Sequence, residues 1–418
     1  MPMAKLAGSP ALKTTVMFEG IRYSDALGAA AEHSLPNYFP YRFKAGEHDP
    51  TGTGKASIPY LINTEDDTLI RVLGNGDSPW SVVGNRQEGY KLVHDERRDD
   101  PVAIRFEPLH DWLQQQTSDG FPIAQAGVST HGDMMVINVA PGCEYFLNKV
   151  DSKSMRCTFC SYGAPDKRTA HLGQVAGQVA IPELTIKRMH EAMDAVTSET
   201  EINHIYLVGG SLTDYEQEGQ RFLQLARAVQ ANNPGKISVT LGSGALPDEI
   251  LQQFCDEQLV DAVCFNLEVW SEALFARVCP GKNNYVGYDR WIKSLERAVE
   301  LWGRGRVYSA MVAGIELEPE YDMEWEEAAD LAVQGVQDLC SRGIIPIYSL
   351  YYPTGGKDRS DYQSRLRSYF EHLALSYRDI RRQHELSVWD GFMCNRCAYM
   401  QLECDMDRQT EGQVSNGQ

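Results

Sequence analysis

Three cysteines carry the densest chemical signal in the chain: Cys143, then Cys157 and Cys160, the last two in the run Arg156-Cys157-Thr158-Phe159-Cys160. Thiolates are soft ligands that suit zinc and iron–sulfur clusters. Three of them around one cluster, rather than four, leave one iron open to a substrate or cosubstrate. An electron carrier closes all four positions, so an open iron points to an enzyme. The competing reading is a zinc site that takes a fourth ligand from elsewhere. Zinc favours four closed ligands, often as two Cys-x-x-Cys pairs, whereas here one pair joins a distant single cysteine. A second thiol group, Cys394-Asn-Arg-Cys397 with Cys404, lies near the C-terminus, where His384 or Asp405 is placed to complete a closed site. It reads as an auxiliary iron–sulfur cluster, a zinc staple or unliganded thiols.

The elements around the first cysteines have a regular rhythm. Short apolar strands are expected at Met134–Val139, Ile202–Val208, Ile237–Leu241, Val260–Phe265, Val307–Val312 and Ile344–Leu350. Helical patterns at Leu184–Val196, Gln217–Gln230, Pro247–Cys255, Tyr288–Leu301, Glu324–Cys340 and Asp361–Arg382 alternate with them. Apolar strands separated by helices signal a parallel sheet with crossover connections. Six such units predict an α/β fold, a partial (β/α)6 TIM-like barrel, in which loops after the strand C-termini carry the chemistry. Cys143 follows the first strand, where a site belongs.

This rhythm divides the chain into a β-rich N-terminal extension over 1–130, the barrel over 131–383 and a cysteine-containing C-terminal tail over 384–418. In the extension, extended runs are expected at Val16–Tyr23, Ala56–Ile62, Thr68–Leu73 and Val102–Phe106, with a short helix near His110–Gln116. The segment Thr51-Gly-Thr-Gly-Lys-Ala56 has part of a phosphate-loop pattern. It lacks the first glycine at the needed distance, and Ala56 stands where a magnesium-binding hydroxyl belongs, so a plain loop is expected. The end of the tail, Thr410–Gln418, is polar and expected to be disordered.

Bulk properties exclude some partners. The 418 residues carry 58 acidic against 39 basic side chains, a formal charge of −19 that repels phosphate backbones, so no nucleic-acid partner is expected. No run of about eighteen apolar residues is present, so no membrane span is expected. The first residues lack the apolar core of a signal peptide, and grouped thiols suit a reducing compartment; a cytoplasmic protein is the expectation. Cys255, Cys264, Cys279 and Cys340 fall in or beside barrel elements and read as buried small hydrophobes. Lys149, Lys153 and Arg156, inside the first cysteine gap, read as solvated charges.

From Met134 to Leu350 the motifs and their order resemble the radical S-adenosylmethionine (radical SAM) superfamily. The resemblance rests on Cys143…Cys157-Thr-Phe159-Cys160, with an aromatic residue before the last cysteine, and on motifs at later strand ends. Ile205-Tyr-Leu-Val-Gly209-Gly210-Ser211 is similar to the family's Gly-Gly-Glu segment, with Ser211 in place of the acid. Gly242-Ser243-Gly244 follows the third strand. Asn266-Leu-Glu268 looks like the paired polar residues of the biotin-synthase-like branch, and two-residue spacing places both on one face of a strand. Met311-Val-Ala-Gly-Ile315-Glu316 resembles part of the segment that packs against adenine. The departure is the first gap, three residues in the usual pattern and thirteen here (Glu144–Arg156).

The resemblance implies that Cys143, Cys157 and Cys160 hold a [4Fe-4S] cluster whose open iron takes S-adenosylmethionine. It further implies that Phe159, Gly209, Gly210, Ser211, Ser243, Asn266, Glu268, Arg277 and Ile315 approach this cosubstrate, Arg277 as a partner for its carboxylate. The expected reaction is reductive cleavage to a 5′-deoxyadenosyl radical that takes a hydrogen atom from a small molecule in a biosynthetic pathway. A peptide or carrier-bound group is the alternative substrate, and methylation or sulfur insertion an alternative outcome. A one-electron donor such as flavodoxin or ferredoxin is the implied partner. The reading from another class is a non-catalytic zinc or iron–sulfur scaffold or electron-transfer protein.

Overall fold

The computed structural model describes residues 6, 8–37, 39–160, 179–351, 360–387 and 401–407. It divides into two compact units, one of Met1–His110 with Ala398–Gln418 and the other of Asp111–Cys397. The first boundary therefore falls at His110, ahead of the change in strand rhythm. Asp111–Gln114 forms only a short 3-10 turn where a longer helix is expected from the sequence.

The first unit opens with two helices, α1 (Gly8–Glu19) and α2 (Asp25–Ala31), and a small ribbon of β1 (Tyr41–Arg42) and β2 (Lys55–Ala56). Its sheet contains β3 (Leu61–Thr64), β4 (Leu69–Arg71), β5 (Trp80–Asn85), β6 (Gly89–His94) and β7 (Val102–Phe106). The order is β4-β3-β7-β6-β5, antiparallel throughout. The first half of the expected strand at Val16–Tyr23 is helix, because α1 runs to Glu19. Pro10, Lys13, Thr14 and Met17 recur at the helical period and form the buried side of α1, and only Ile21 and Arg22 beyond it make strand bridges. The expected strand at Ala56–Ile62 is split between two sheets, with Pro59, which has no amide to donate, between the halves. The loop at 51–54 is closed on itself: Asp49 accepts from the amides of Thr51 (2.9 Å) and Gly54 (2.7 Å), which uses the amides a phosphate would need.

The second unit is built on a seven-stranded sheet. Its strands are β8 (Val128–His131), β9 (Met134–Ile137), β12 (His204–Leu207), β13 (Ser238–Ser243), β14 (Ala262–Phe265), β15 (Val307–Ala313) and β16 (Ile344–Leu350). A separate two-stranded hairpin, β10 (Lys149–Val150) and β11 (Lys153–Ser154), leaves the chain between β9 and β12. The order β16-β15-β14-β13-β12-β9-β8 places the six parallel strands in sequence order, the expected partial barrel, with β8 added antiparallel at one edge. All four residues of β9 and of β14 are buried, as strands covered on both faces require.

The covering helices are α3 (Glu183–Glu199), α4 (Tyr215–Ala231), α5 (Asp248–Asp256), α8 (Tyr288–Trp302), α9 (Trp325–Ser341) and α10 (Ser360–Gln383). Two short helices absent from the sequence reading, α6 (Glu272–Val278) and α7 (Pro280–Tyr285), precede α8. They meet at Cys279, where Pro280 starts the second helix because it cannot continue the first. Among the described residues no helix is long and apolar enough to cross a membrane.

Residues 401–407 of the tail belong to the first unit, and a short helix there presents Asp405 to α1. Lys13 and Asp405 form an ion pair with both side chains fully buried. Removing one member of such a pair strips the other of its compensating charge, at about 3–5 kcal/mol. Lys13→Ala is expected to lower the unfolding free energy by that order, with Lys13→Met/Asp405→Leu recovering most of it. Equal stability of Lys13→Ala and wild type in urea titrations would show that the pair does not anchor the tail.

Candidate functional site

The thirteen-residue gap between the first two cysteines has a definite shape. Cys143 leads into a 3-10 turn, Glu144–Phe146, in which the Phe146 amide donates to the Cys143 carbonyl (3.2 Å). The hairpin β10–β11 follows, with Lys149 opposite Ser154 and Val150 opposite Lys153. Asp151 (φ 50°) and Ser152 (φ 66°) occupy its tip in the left-handed region, as a tight two-residue hairpin turn demands. The hairpin base closes where the Met155 amide donates to the Asn148 carbonyl (3.2 Å). The extra residues thus run out and back, and the chain resumes beside Cys143. Cys157 and Cys160 then share a turn, the Cys160 amide donating to the Cys157 carbonyl (3.2 Å).

Cys157 and Cys160 both lie within electrostatic reach of Cys143. Burial, with smaller contributions from the neighbouring Cys157 and Cys160 and against two backbone amides, pushes the Cys143 thiol up to about 11. Among the described residues no three His, Cys, Asp or Glu side chains converge as tightly as a single metal ion needs. Zinc–thiolate bonds of about 2.3 Å would draw sulfurs to within roughly 4 Å of one another. The ligands of a four-iron cubane sit on separate irons, and three cysteine thiols are the donor set that such a cluster with one open iron takes. Phe159 and Cys160 are half-buried at the edge of this loop.

The strand ends meet the cysteine loop backbone to backbone. Gly210 donates its amide to the Ala140 carbonyl (2.9 Å), and a Cβ there would lie 2.0 Å from the Gly142 carbonyl oxygen and 2.6 Å from the Cys143 nitrogen. No other residue fits. One step on, the Ser211 carbonyl accepts from the Glu144 amide (2.9 Å), and the Glu144 carboxylate accepts from the Thr213 amide (2.6 Å) and hydroxyl (2.7 Å). Gly209 and Ser211 flank this contact, half-buried.

Two residues missed from the sequence hold these loops from behind. Glu218 on α4 is fully buried, and its carboxylate accepts from the amides of Leu212 (2.8 Å) and Gly244 (2.9 Å), tying the loop after β12 to the loop after β13. Arg221, one turn on, donates to the Gly210 carbonyl. Their signal is present in the sequence: both lie on the buried stripe of α4 with Tyr215, Gly219, Phe222 and Leu225, where a charged residue is out of place unless it has buried partners. Tyr215 also meets the loop directly, hydroxyl to hydroxyl with Tyr145.

The remaining expected residues are distributed unevenly. Ser243 ends β13 and donates its hydroxyl to the Gly244 carbonyl (3.0 Å). Asn266 is half-buried beside Cys264, whose thiol donates to the Asn266 side-chain oxygen (3.4 Å). Two-residue periodicity does not reach Glu268, because β14 ends at Phe265 and Glu268 is left-handed (φ 74°). Glu268 is instead held by backbone bonds to Ala310 and Val312 and by a buried ion pair with Lys282 (2.6 Å). Arg277 is exposed, donating to the Glu320 carbonyl (2.7 Å) over the Tyr321 ring, so its guanidinium is engaged there. Lys282, five residues later, is the buried cation of this segment. Cys279, read from the sequence as a buried small hydrophobe, is buried, and its thiol lies close enough to Cys157 to help hold that thiol below its ordinary range against the effect of burial.

Ile315 is buried just after β15, beside a second backbone-tight glycine. A Cβ on Gly314 (φ 90°) would lie 2.1 Å from the Leu366 side chain of α10, and the Gly314 carbonyl accepts from the Tyr362 hydroxyl (2.9 Å). Its amide donates to the Glu316 carboxyl (3.1 Å), so this acid caps its own turn rather than the next helix. In the tail, Cys404 is buried in the first unit, while Cys394 and Cys397 lie outside the described residues.

No family model matches the chain. Its sequence is 23% identical over 306 residues to bacteriochlorophyllide c C-7(1)-hydroxylase of Chlorobaculum limnaeum, covering 68% of this chain and 70% of that protein. Among solved structures it is similar to a radical SAM methyltransferase from Sphaerobacter thermophilus, at a TM-score of 0.38 and 15% identity over 72% of this chain and 76% of that one. It is also similar to the FeFe-hydrogenase maturase HydG of Carboxydothermus hydrogenoformans, at a TM-score of 0.38 and 14% identity over 60% of this chain and 56% of that one.

Glu316 gives the site a pH signature. Burial pushes its carboxyl from 4.5 up to about 7, against the amides of its own turn and the Tyr369 hydroxyl. The folded protein therefore holds a proton that the unfolded chain releases near 4.5. Stability from this group is complete below that pH and is lost as pH rises through about 7, up to roughly 3 kcal/mol. Glu316→Gln is expected to flatten the stability profile between about pH 5 and 8 in urea titrations; an unchanged slope would refute the assignment.

Proposed function

We infer that this chain is an enzyme of the radical S-adenosylmethionine superfamily, with Cys143, Cys157 and Cys160 as the ligands of a [4Fe-4S] cluster. One observation carries the reading: three neighbouring thiols stand at the C-terminal end of a six-stranded parallel sheet, with Gly210 packed against the Cys143 peptide. When bound, such a cluster held by Cys143, Cys157 and Cys160 would supply the electron for reductive cleavage of S-adenosylmethionine, and with it the means of hydrogen-atom abstraction from a substrate.

The chain's own residues position and shelter that chemistry. Glu218 and Arg221 fix the Gly209–Ser211 edge and the Ser243 strand end from behind, leaving backbone carbonyls and amides at the mouth to meet the amino and carboxylate groups of the cosubstrate. Buried Ile315 and the half-buried Asn266 lie on later strand ends, where adenine and ribose would lie. The Glu268 carboxylate is committed to Lys282, so Asn266 is the better candidate for ribose contact. Arg277, engaged with Glu320 and Tyr321, is the weakest of the cosubstrate candidates.

The proposed substrate is a small molecule, in keeping with the bacteriochlorophyllide named for the hydroxylase relative. The acidic chain, with its charge of −19, argues against nucleic acid. A flavodoxin- or ferredoxin-type donor in a reducing, cytoplasmic setting would supply the electron. Residues 1–130 are proposed to recognise substrate or partner. A second cluster or zinc on Cys394, Cys397 and Cys404 belongs to the same proposal, with Asp405 excluded as a ligand by its pairing with Lys13.

Anaerobic reconstitution tests this directly. The expected product is a brown protein with about four irons and four sulfides per barrel site that releases 5′-deoxyadenosine under dithionite. Cys143→Ala/Cys157→Ala/Cys160→Ala is expected to abolish that release. Gly210→Ala is expected to lose cluster iron while retaining the far-ultraviolet spectrum of the wild type. A colourless protein that holds zinc and leaves S-adenosylmethionine intact would refute the reading. Cys394→Ala/Cys397→Ala/Cys404→Ala separately reports the tail: loss of a second cluster's iron, or of zinc, identifies its site.

A further inference from the structure

We propose that the junction of α6 and α7, Val278–Lys282, is an outer brace for the cluster ligand Cys157, and that the Cys279 thiol and Lys282 ammonium raise the cluster's reduction potential. This rests on the reading of the three cysteines given above and extends it to residues that do not themselves hold iron.

The brace is a backbone clamp on both sides of Cys157. The Thr158 amide donates to the Val278 carbonyl (2.9 Å), and the Gly281 amide donates to the Met155 carbonyl (3.0 Å). The two bonds straddle Cys157 on one segment and Cys279 on the other, which places the two residues side by side. Gly281 is required for this approach: a Cβ would stand 2.5 Å from the Met155 oxygen and 2.7 Å from the Tyr145 ring. Within the clamp the Cys279 thiol lies beside Cys157, close enough to act on its sulfur as a hydrogen-bond donor. A hydrogen bond to a ligand sulfur withdraws electron density from it and stabilises the reduced cluster.

The cation behind them is equally fixed. Lys282 is buried; its ammonium donates to the Asn266 carbonyl (2.5 Å) and the Glu268 carboxylate (2.6 Å) and sits 4.6 Å from the centre of the Trp291 ring. It lies within electrostatic reach of both Cys157 and Cys279. A buried positive charge near a thiolate ligand favours the state with one more electron, and low local polarisability keeps that influence large. The partner carboxylate Glu268 keeps the ammonium charged and stationary; it opposes the ammonium's effect on the two thiols, and the Lys282 contribution is the larger of the two. Neither Cys279 nor Lys282 is needed to bind iron, so their contribution should separate cleanly from cluster assembly.

The test is a redox titration followed by electron paramagnetic resonance on reconstituted full-length protein, with iron and sulfide counted in each sample. Cys279→Ala is expected to keep wild-type iron and to lower the ratio of reduced to oxidised cluster by about threefold or more at the poise where wild type is half reduced. Cys279→Ser retains a donor and is expected to return the ratio toward wild type. Glu268→Gln/Lys282→Met, which removes both charges without stranding either, is expected to shift the ratio in the same direction as Cys279→Ala. Unchanged potentials in loaded variants would overturn the proposal. Loss of cluster iron in Cys279→Ala would overturn it differently, by making Cys279 a ligand. Wild-type protein that assembles no cluster would refute the reading of the three cysteines, and this inference with it.

Discussion

The contact between Gly210 and the Gly142–Cys143 peptide is the constraint on which the site depends. It is a packing of backbone against backbone with no space for a side chain. Because the peptide groups are rigid, this contact fixes the first thiol relative to the end of β12 without any flexible element in between. The Ser211–Glu144 and Glu144–Thr213 bonds continue the seam, so the cysteine loop is effectively sewn to the next strand. The hairpin that fills the long cysteine gap can then project outward at little cost. Lengthening a loop between fixed ends adds only slowly to its closure entropy.

Behind the loops, the structure repeatedly places a buried charged or acidic group where a strand ends. Glu218 with Arg221 stands behind β12 and β13, Glu268 with Lys282 behind β14, and Glu316 with Tyr369 behind β15. Burying such groups costs several kcal/mol unless their partners are present. Here the partners are loop amides and carbonyls that lack sheet bonds, such as those of Leu212, Gly244, Gly314 and Asn266. Each buried group thus satisfies loop backbone and holds it still. The mouth of the barrel is stiffened from inside, and irregular backbone persists where a ligand would need it.

The barrel was legible in the sequence because parallel strands buried on both faces are written as continuous apolar runs: all six parallel strands and the six covering helices lie close to where the pattern places them, and the short α6 and α7 were missed. The first unit was less legible. At Val16–Tyr23 an apolar run of ambiguous period was resolved as helix by its packing, including the Lys13–Asp405 pair from the far end of the chain. No local pattern encodes a contact across 392 positions. Some missed features did leave signals. Gly132-Asp133 between His131 and Met134 is a two-residue hairpin turn that announces β8, and Pro280 marks the break between α6 and α7.

The cation near Glu268 shows why proximity in sequence misleads at such a break. Arg277 and Lys282 are five positions apart, and on one continuous helix either could face the site. The interruption at Cys279-Pro280 turns the chain, leaving Arg277 on the exposed side against Tyr321 and carrying Lys282 inward over Trp291. The same turn brings Cys279 to Cys157. A single proline therefore decides which basic residue is buried, which cysteine meets the ligand set and where the α6–α7 junction can clamp the loop. The spacing of the three ligand cysteines announces that a metal centre is present; what surrounds it is settled by how the backbone changes direction several strands later.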